Sequence, residues 1–532
     1  MRRLASSEAI ETAPPHPVAS PAFPPEQTHS PADSGRLLRT IVWALPVVIL
    51  VSVLGYYAFN RSARQTQAPA GPGPPAAATS TIPEKSIAVL PFVDMSEKKD
   101  QEYFSDGISE ELIDLLTKIP DLKVSARTSS FYFKGQHATL AEIARTLGVS
   151  HLLEGSVRKA GDTMRVTAQL VRADNGYHLW SETYDRNFKD IFKVQDDIAM
   201  AVVTALKTQL LPSAELASSH RSENTAAYAQ YMVGNRLRYA DTPESNQEAL
   251  AAYEKAIALD PRYAGAYAAL SEVEWRIADS TTGEPAGYDR AVAAAERAIA
   301  LAPESAEGYW ARGRYRYATA FDWRGGEADL AKALALNQNF APALVDHAVV
   351  LAMQGRLADA IVELRKALTL DPLSSDASYI LVRMLWASGQ HAEARQTART
   401  MVDRNMPGCH EVVGYVALLD GNAAQADAEF HMEPVHMVRL YTTAVSQYSL
   451  DHLAAADGAL SQLVKDFSKT LAYQIAEVYA WRGDTDKAFE WLETAYRQRD
   501  RGITQLRFDP LLANLRTDPR YRTILQRLGL PE

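Results

Sequence analysis

The feature that most restricts what this chain can fold into is a phrase that returns about every 34 residues through its C-terminal half. It sets a small residue, a second small residue seven positions on, and a Leu-Asp-Pro stop. The copies read Ala249, Ala256, Leu259-Asp260-Pro261; Ala291, Ala298, Leu301-Ala302-Pro303; Ala333, Leu336-Asn337; and Ala360, Ala367, Leu370-Asp371-Pro372. Small residues two turns apart let a second helix approach closely, and a Pro just past an apolar periodic run ends the helix. The spacing predicts a stack of helical hairpins. One hairpin buries too little to stand alone, so neighbours share a continuous core. Fainter copies follow at Gly389 and Ala394, Gly421 and Ala426, and Gly483, Ala488 and Ala495, each Gly at the turn between two helices. That makes roughly seven or eight units, least defined between residues 400 and 470.

The unit from Ala341 to Pro372 resembles the tetratricopeptide repeat at its small, turn and stop positions: Ala348, Gly355, Ala360, Ala367 and Pro372. The resemblance implies an all-α superhelical solenoid over residues 222–532, with protein or peptide partners on its concave face. Another class of α-solenoid is the alternative. Gly326 stands for Ala in the third unit and Met401 for Ala in the fifth, so irregular packing is expected there.

The N-terminal region has a different texture. Residues 1–38 hold seven of the 27 prolines and few apolar anchors, and are expected to be a disordered tail. Thr40 to Phe59 then carries no charge, with Arg36 and Arg39 before it and Arg61 and Arg64 after. Twenty residues at about 1.5 Å each span one bilayer core. Trp43, Tyr56 and Tyr57 fall where amphipathic rings favour the headgroup zone. The pattern predicts one transmembrane helix over 39–60. A cleaved signal peptide would begin closer to the N-terminus and end at a small-x-small site, and this run ends Tyr-Tyr-Ala-Phe-Asn. The flanking arginines are nearly balanced and barely vote on orientation. Residues 61–84, rich in Pro, Ala and Gly, read as a linker.

Residues 85–211 alternate between strand and helix patterns. Ser86 to Phe92 is an apolar run of strand length, suited to a strand covered on both faces. A helix is expected from Ser105 or Asp106 to Ile119, with Glu110 and Glu111 in its first turn, and a short strand over Leu122–Ala126. Thr139 to Glu142 is a capping box that opens a short helix closed by Gly148. Three strands follow as a meander broken at Ala160-Gly161-Asp162 and Asp174-Asn175-Gly176. An amphipathic helix on Ile191, Val194, Ile198, Val202 and Leu206 closes the domain. The order β-α-β-α-β-β-β-α predicts a mixed α/β layer domain.

The phrases Ser86 to Phe92, Tyr103 to Ile108, Leu153 to Arg158 and Leu179 to Asp185 resemble the TolB-like, or FlgO-type, domain. The C-terminal phrases Asp484 to Leu492, Phe508 to Leu511 and Leu515 to Arg520 are similar to the ends of chains in which that domain precedes tetratricopeptide repeats. The resemblance implies a bacterial inner-membrane protein, single-pass, with its C-terminal domains in the periplasm. Such architectures usually carry a winged-helix or nucleotide cyclase module before the membrane helix. The Pro-rich residues 1–38 fit neither, so a transcription-factor or adenylate cyclase role is not carried over.

Residues for chemistry do not gather. There is no GxGxxG after a strand, no GxxxxGK[ST] loop, no HExxH and no GxSxG. The single Cys409 reads as a small hydrophobe. His137, His151 and His178 could meet in the α/β domain, although ordinary strand and loop roles suit them better. The pairs Glu110-Glu111 and Asp196-Asp197 read as helix-surface charges. Tyr267, Trp310, Tyr379 and Tyr479 recur at hairpin positions and read mostly as core. A net charge of −10 without a long basic run argues against nucleic acid. No catalytic, metal or cofactor residue is assigned, and the chain is expected to be no enzyme. The reading is a membrane-anchored interaction scaffold. The alternative is a single-pass sensor relaying to a separate cytoplasmic partner.

Overall fold

The computed structural model describes residues 82–119, 121–160, 163–206, 221–281 and 285–531. The tail, the membrane span and most of the linker lie outside the described residues. Among those described, no helix is long and apolar enough to cross a membrane.

The sheet domain runs β1 (Ser86–Val89), β2 (Val93–Asp94), α1 (Glu102–Thr117), β3 (Lys123–Val124), α2 (Arg127–Phe131), α3 (Leu140–Leu147), β4 (His151–Ala160), β5 (Thr163–Arg172), β6 (His178–Asn187) and α4 (Ile191–Ala205). The sheet order is β3-β1-β4-β5-β6, with β2 also beside β4. β1 is parallel to both β3 and β4, and β4, β5 and β6 form the antiparallel meander. Alternation along β1 explains its continuous apolar run. Ile87 and Val89 enter the core shared with α1 and α4, while Ala88 enters the core that holds Ile143 and Leu147 of α3. Thr139 and Glu142 form the expected capping box, and Gly148 ends α3 in the left-handed conformation. The first helix begins at Glu102, earlier than expected, and α2 is a short helix that sequence reasoning left out.

Eight hairpins follow: α5 (Thr225–Arg238) with α6 (Pro243–Leu259), α7 (Ala264–Thr281) with α8 (Pro285–Leu301), α9 (Ala306–Ala318) with α10 (Trp323–Leu336), α11 (Ala341–Met353) with α12 (Leu357–Leu370), α13 (Ser375–Ala387) with α14 (His391–Asp403), α15 (Cys409–Leu419) with α16 (Ala423–His431), α17 (His436–Ser449) with α18 (Leu453–Phe467), and α19 (Ala472–Trp481) with α20 (Thr485–Gln498). The small positions Ala249, Ala256, Ala333, Ala360, Ala367, Ala394, Ala426 and Ala488 are buried. Gly326 sits so close to Tyr317 that a Cβ would lie 3.0 Å from that residue's Cβ, and Met401 is buried in the fifth hairpin.

Two features join these parts. The core of α1 and α4 continues into Tyr228 and Met232 of α5 and Tyr263 before α7, so sheet domain and first hairpin share one interior. Beyond α20 the chain makes two 3₁₀ turns, Arg501–Gln505 and Pro510–Leu515, and a last helix α21 (Pro519–Arg527). This segment packs on α9, α11, α13 and α19. Arg507 Nη1 donates to Met353 O at 3.3 Å, and Trp323 Nε1 to Leu528 O at 2.8 Å.

Candidate functional site

The first helices of the second and third hairpins turn polar side chains inward at three- and four-residue spacing, which keeps them on one helical face. On α7 these are Glu272, Arg276 and Asp279; on α9, Glu307 and Arg314, with the indole of Trp310 between them. α1 turns Glu110, Asp114 and Thr117 towards them, and Arg501 of the C-terminal segment joins the wall. Together they line an open cleft of about 620 Å³.

Most of its charges are paired. Arg238 binds Glu272, and Arg276 reaches Glu272 at 2.9 Å and Asp241 at 2.7 Å. Burial alone would raise the Glu272 carboxyl, but Arg238, Arg276 and Arg314 outweigh it and hold it at about 2. Asp346, buried on α11, accepts from Trp310 Nε1 at 2.7 Å, Tyr317 Oη at 2.6 Å and Arg314 Nε at 2.9 Å.

The surface reading of Glu110 and Glu111 is corrected by the structure. Both are buried, and since α1 starts at Glu102 they lie beyond its first turn, where the helix dipole gives little. Glu110 binds Arg127 at 2.6 Å and accepts from Asn235 Nδ2 at 3.0 Å, while Glu111 binds Arg221 at 2.6 Å. Asp196 is half-buried and also holds Arg221, at 2.8 Å. These contacts bolt the sheet domain to the solenoid. Further along, Ala126 N donates to Leu370 O at 2.8 Å and Ser129 Oγ to Asp371. The stop phrase at Leu370-Asp371 therefore serves as a docking edge as well as a helix end.

His151 is buried in β4 with Nδ1 3.2 Å from Ser86 O, and burial lowers its pKa. His137 and His178 are exposed. Among the described residues no group of three or more His, Cys, Asp or Glu could hold a metal ion. Cys409 is buried at the start of α15, and burial raises its thiol. Of the four aromatics singled out, Trp310 lines the cavity, and Tyr267, Tyr379 and Tyr479 are half-buried. The missed participants, Arg127, Arg221 and Arg501, had one faint signal: charges such as Glu272 and Asp346 at positions of the inner helices that the small-residue pattern marks as packed.

A tetratricopeptide-repeat family model matches residues 351–407, which supports that repeat class for the solenoid. The family model for the second domain of HilA/YgeH-like transcriptional regulators matches residues 83–201. That is a different description of the sheet domain from the TolB-like resemblance. A curated protein named "Putative adenylate cyclase 3", from Rhizobium meliloti (strain 1021), is 40% identical over 192 residues, covering 36% of this chain. The match spans 33% of that protein's own length. Among solved structures, one of Pseudomonas aeruginosa pilF is 16% identical, covers 48% of this chain and 97% of its own, and has a TM-score of 0.30. A human IFIT1 dimer with PPP-AAAA is also 16% identical, covers 58% and 88%, and scores 0.35.

Proposed function

We propose that this chain is a protein-interaction scaffold tethered to a bacterial inner membrane through residues 39–60, with the TolB-like sheet domain and the repeats on the periplasmic side. One observation carries the reading: among the described residues, eight stacked hairpins joined to the sheet domain through a common core, a repeat architecture suited to holding polypeptides. Much of the inner curve is covered by the chain itself. A partner on the concave face therefore displaces the C-terminal segment or docks beside it. Exposed Met432, Val435 and Met437, at the turn into α17, offer apolar surface outside the curve.

Photo-crosslinking of the full chain in intact cells, from position 437 and from position 310, tests this. Partner adducts identified by mass spectrometry support it, and adducts only within the chain itself sink it. Protease cleavage of the repeats from the periplasmic side tests the orientation.

The cleft at the junction favours a second reading, a sensor relaying through the membrane segment to a cytoplasmic partner. Removing residues 1–35 leaves partner capture intact in a scaffold and silences a relay. An adenylate cyclase reading rests on the name of the Rhizobium meliloti relative alone, and a cyclic AMP assay on the full chain tests it.

A further inference from the structure

The sheet has two unlike edges. At β3 the solenoid closes it: Asn339 Nδ2 donates to Leu122 O at 3.3 Å just before the strand, and Ala126 N to Leu370 O at 2.8 Å just after it. β6 forms the other edge, and among the described residues it pairs with no strand but β5. It is ten residues long, all of them exposed except Trp180 and Tyr184, and it contains neither Pro nor Lys, the usual blunting residues of an open strand. Such an edge presents a row of unpaired N–H and C=O groups to another strand.

The two faces of β6 differ in how their polar groups are met. On one face the neighbours on β5 complete them: Asp185 binds Arg165 at 2.7 Å, and Thr183 Oγ1 lies 3.1 Å from Thr167 Oγ1. On the face that carries Tyr184 into the core under α4, the β5 residues opposite Glu182 and Arg186 are Ala168 and Met164, both buried and apolar. Glu182 accepts from Tyr184 Oη at 3.2 Å, and Arg186 Nη1 donates to Asp185 O at 3.0 Å. Among the described residues neither has an ion-pair partner. One charge of each sign therefore stands on this face of the edge, four residues apart and unmatched.

That arrangement is self-complementary. The register shift between Leu170 and Val171 makes Leu179 the extra residue, so regular strand runs from Trp180 to Asn187. Two copies of this stretch, antiparallel about a two-fold axis at Tyr184, set Glu182 of each opposite Arg186 of the other, Thr183 opposite Asp185 and Ser181 opposite Asn187. Side chains directly opposite lie about 4.5–5.5 Å apart at Cβ, where unlike charges attract and like charges repel. An axis at Glu182, Asp185 or Arg186 would put a charge against its own copy, and an axis at Thr183 would match neither Glu182 nor Arg186 with an opposite charge. Charge therefore selects both the occupant of this edge and its register.

The geometry points to a homodimer in which the β6 strands of two copies pair antiparallel about an axis at Tyr184, joining their sheets into one. The interface is isologous, so each Glu182–Arg186 pair is made twice. It uses the sheet edge alone and goes beyond the scaffold reading, which concerns the repeats.

The test is sedimentation of the purified full chain in density-matched detergent over a concentration series. The wild type is expected to dimerise. Glu182→Arg and Arg186→Glu each set like charges opposite one another and should weaken dimerisation at least about tenfold. The double variant restores unlike pairs and should return to within about threefold of the wild type. Register is read by mild oxidation: Thr183→Cys chains mixed with Asp185→Cys chains should link as a disulfide dimer, because opposite residues fall within the Cα separation of about 7 Å that a disulfide spans. Either cysteine variant alone, one diagonal step from its own copy, should link far less. All variants are checked for wild-type melting, and if a charge reversal fails to fold, the cysteine mixture decides. A monomeric wild type, a dimer indifferent to the reversals, a double variant without rescue, or equal linking by Thr183→Cys alone overturns the proposal.

Discussion

Gly107 on α1 faces Met232 on α5 so closely that a Cβ at position 107 would lie 2.5 Å from Met232 Cγ and 3.1 Å from its Cβ. The contact sits where the core of the sheet domain runs into the first hairpin, so neither helix can retreat without opening that interior. Gly107→Val is expected to destabilise the chain by about 1–3 kcal/mol, the usual cost of overpacking. It should also split the single denaturation transition in two, sheet domain and solenoid melting apart. A single transition at the wild-type midpoint would show that the junction accommodates the side chain.

The turn residues give a prediction of opposite signs. Gly355, Gly389, Gly421 and Gly483 adopt positive φ two residues before the second helix of their hairpins, and the seventh hairpin puts Asp451 there at φ 59°. The following residue closes a six-residue loop: Asn422 N to Ala417 O at 2.9 Å, and His452 N to Gln447 O at 2.9 Å. A Cβ on Gly421 would meet nothing within 4 Å, so Gly421→Ala tests backbone conformation alone and should cost about 1 kcal/mol. Asp451→Gly should stabilise by a few tenths of a kcal/mol, because Asp already tolerates this region. Urea midpoints of the two variants check the signs.

The same turns explain what was legible. Hairpins with Gly at the turn stood out in the sequence. The first and third, which turn at Asp241 and Phe321, were legible from their small positions instead, and the seventh, with Asp451 at its turn, stayed hidden. The β1 run was legible because its alternate residues enter two different cores. Glu110 and Glu111 were misread because their cations come from elsewhere in the chain; Glu111 and Arg221 are 110 residues apart. The return of the C-terminal segment had no periodicity to betray it, and the charged wall of the cleft emerges only once three distant stretches meet.

Asp371 makes stability depend on pH in an unusual direction. Burial raises its carboxyl to about 6, and the hydroxyl of Ser129 opposes this only in part. In the unfolded chain the group titrates near 3.8, so between about pH 4 and 6 the folded state keeps a proton that the unfolded state has lost. Stability from this group therefore falls as pH rises through that window. The full cost, on the order of 3 kcal/mol, is present above it. Asp500, also raised to about 6 by burial, adds to the slope. Glu272, held at about 2, works the other way, and its contribution is lost as pH falls below the ordinary glutamate range. Urea midpoints measured from pH 4.5 to 7 should fall less steeply in Asp371→Asn than in the wild type. Parallel slopes would remove Asp371 as the cause.

The C-terminal segment is locked by a buried cluster whose charges are unequally shared. Arg383 Nη1 lies 3.1 Å from Glu477 Oε1 and 3.4 Å from Asp509 Oδ2, and all three residues are buried. Tyr415 and Tyr473 donate their hydroxyls to Asp509 at 3.2 and 3.0 Å. Burial would raise both carboxyls. Arg383, with hydrogen bonds from Glu477, Leu511 N and Tyr473, holds Asp509 below its ordinary value, while burial and the neighbouring Asp509 push Glu477 well above its own. These directions assign the negative charge to Asp509 and the proton of the pair to Glu477, although Arg383 touches both. Glu477→Gln, a neutral replacement of nearly the same shape, should change stability by less than about 1 kcal/mol. Asp509→Asn leaves a buried guanidinium uncompensated and should cost about 3–5 kcal/mol. It should also free residues 501–531 to limited proteolysis while the earlier hairpins resist. Equal costs for the two variants would mean that the negative charge is shared between the carboxyls.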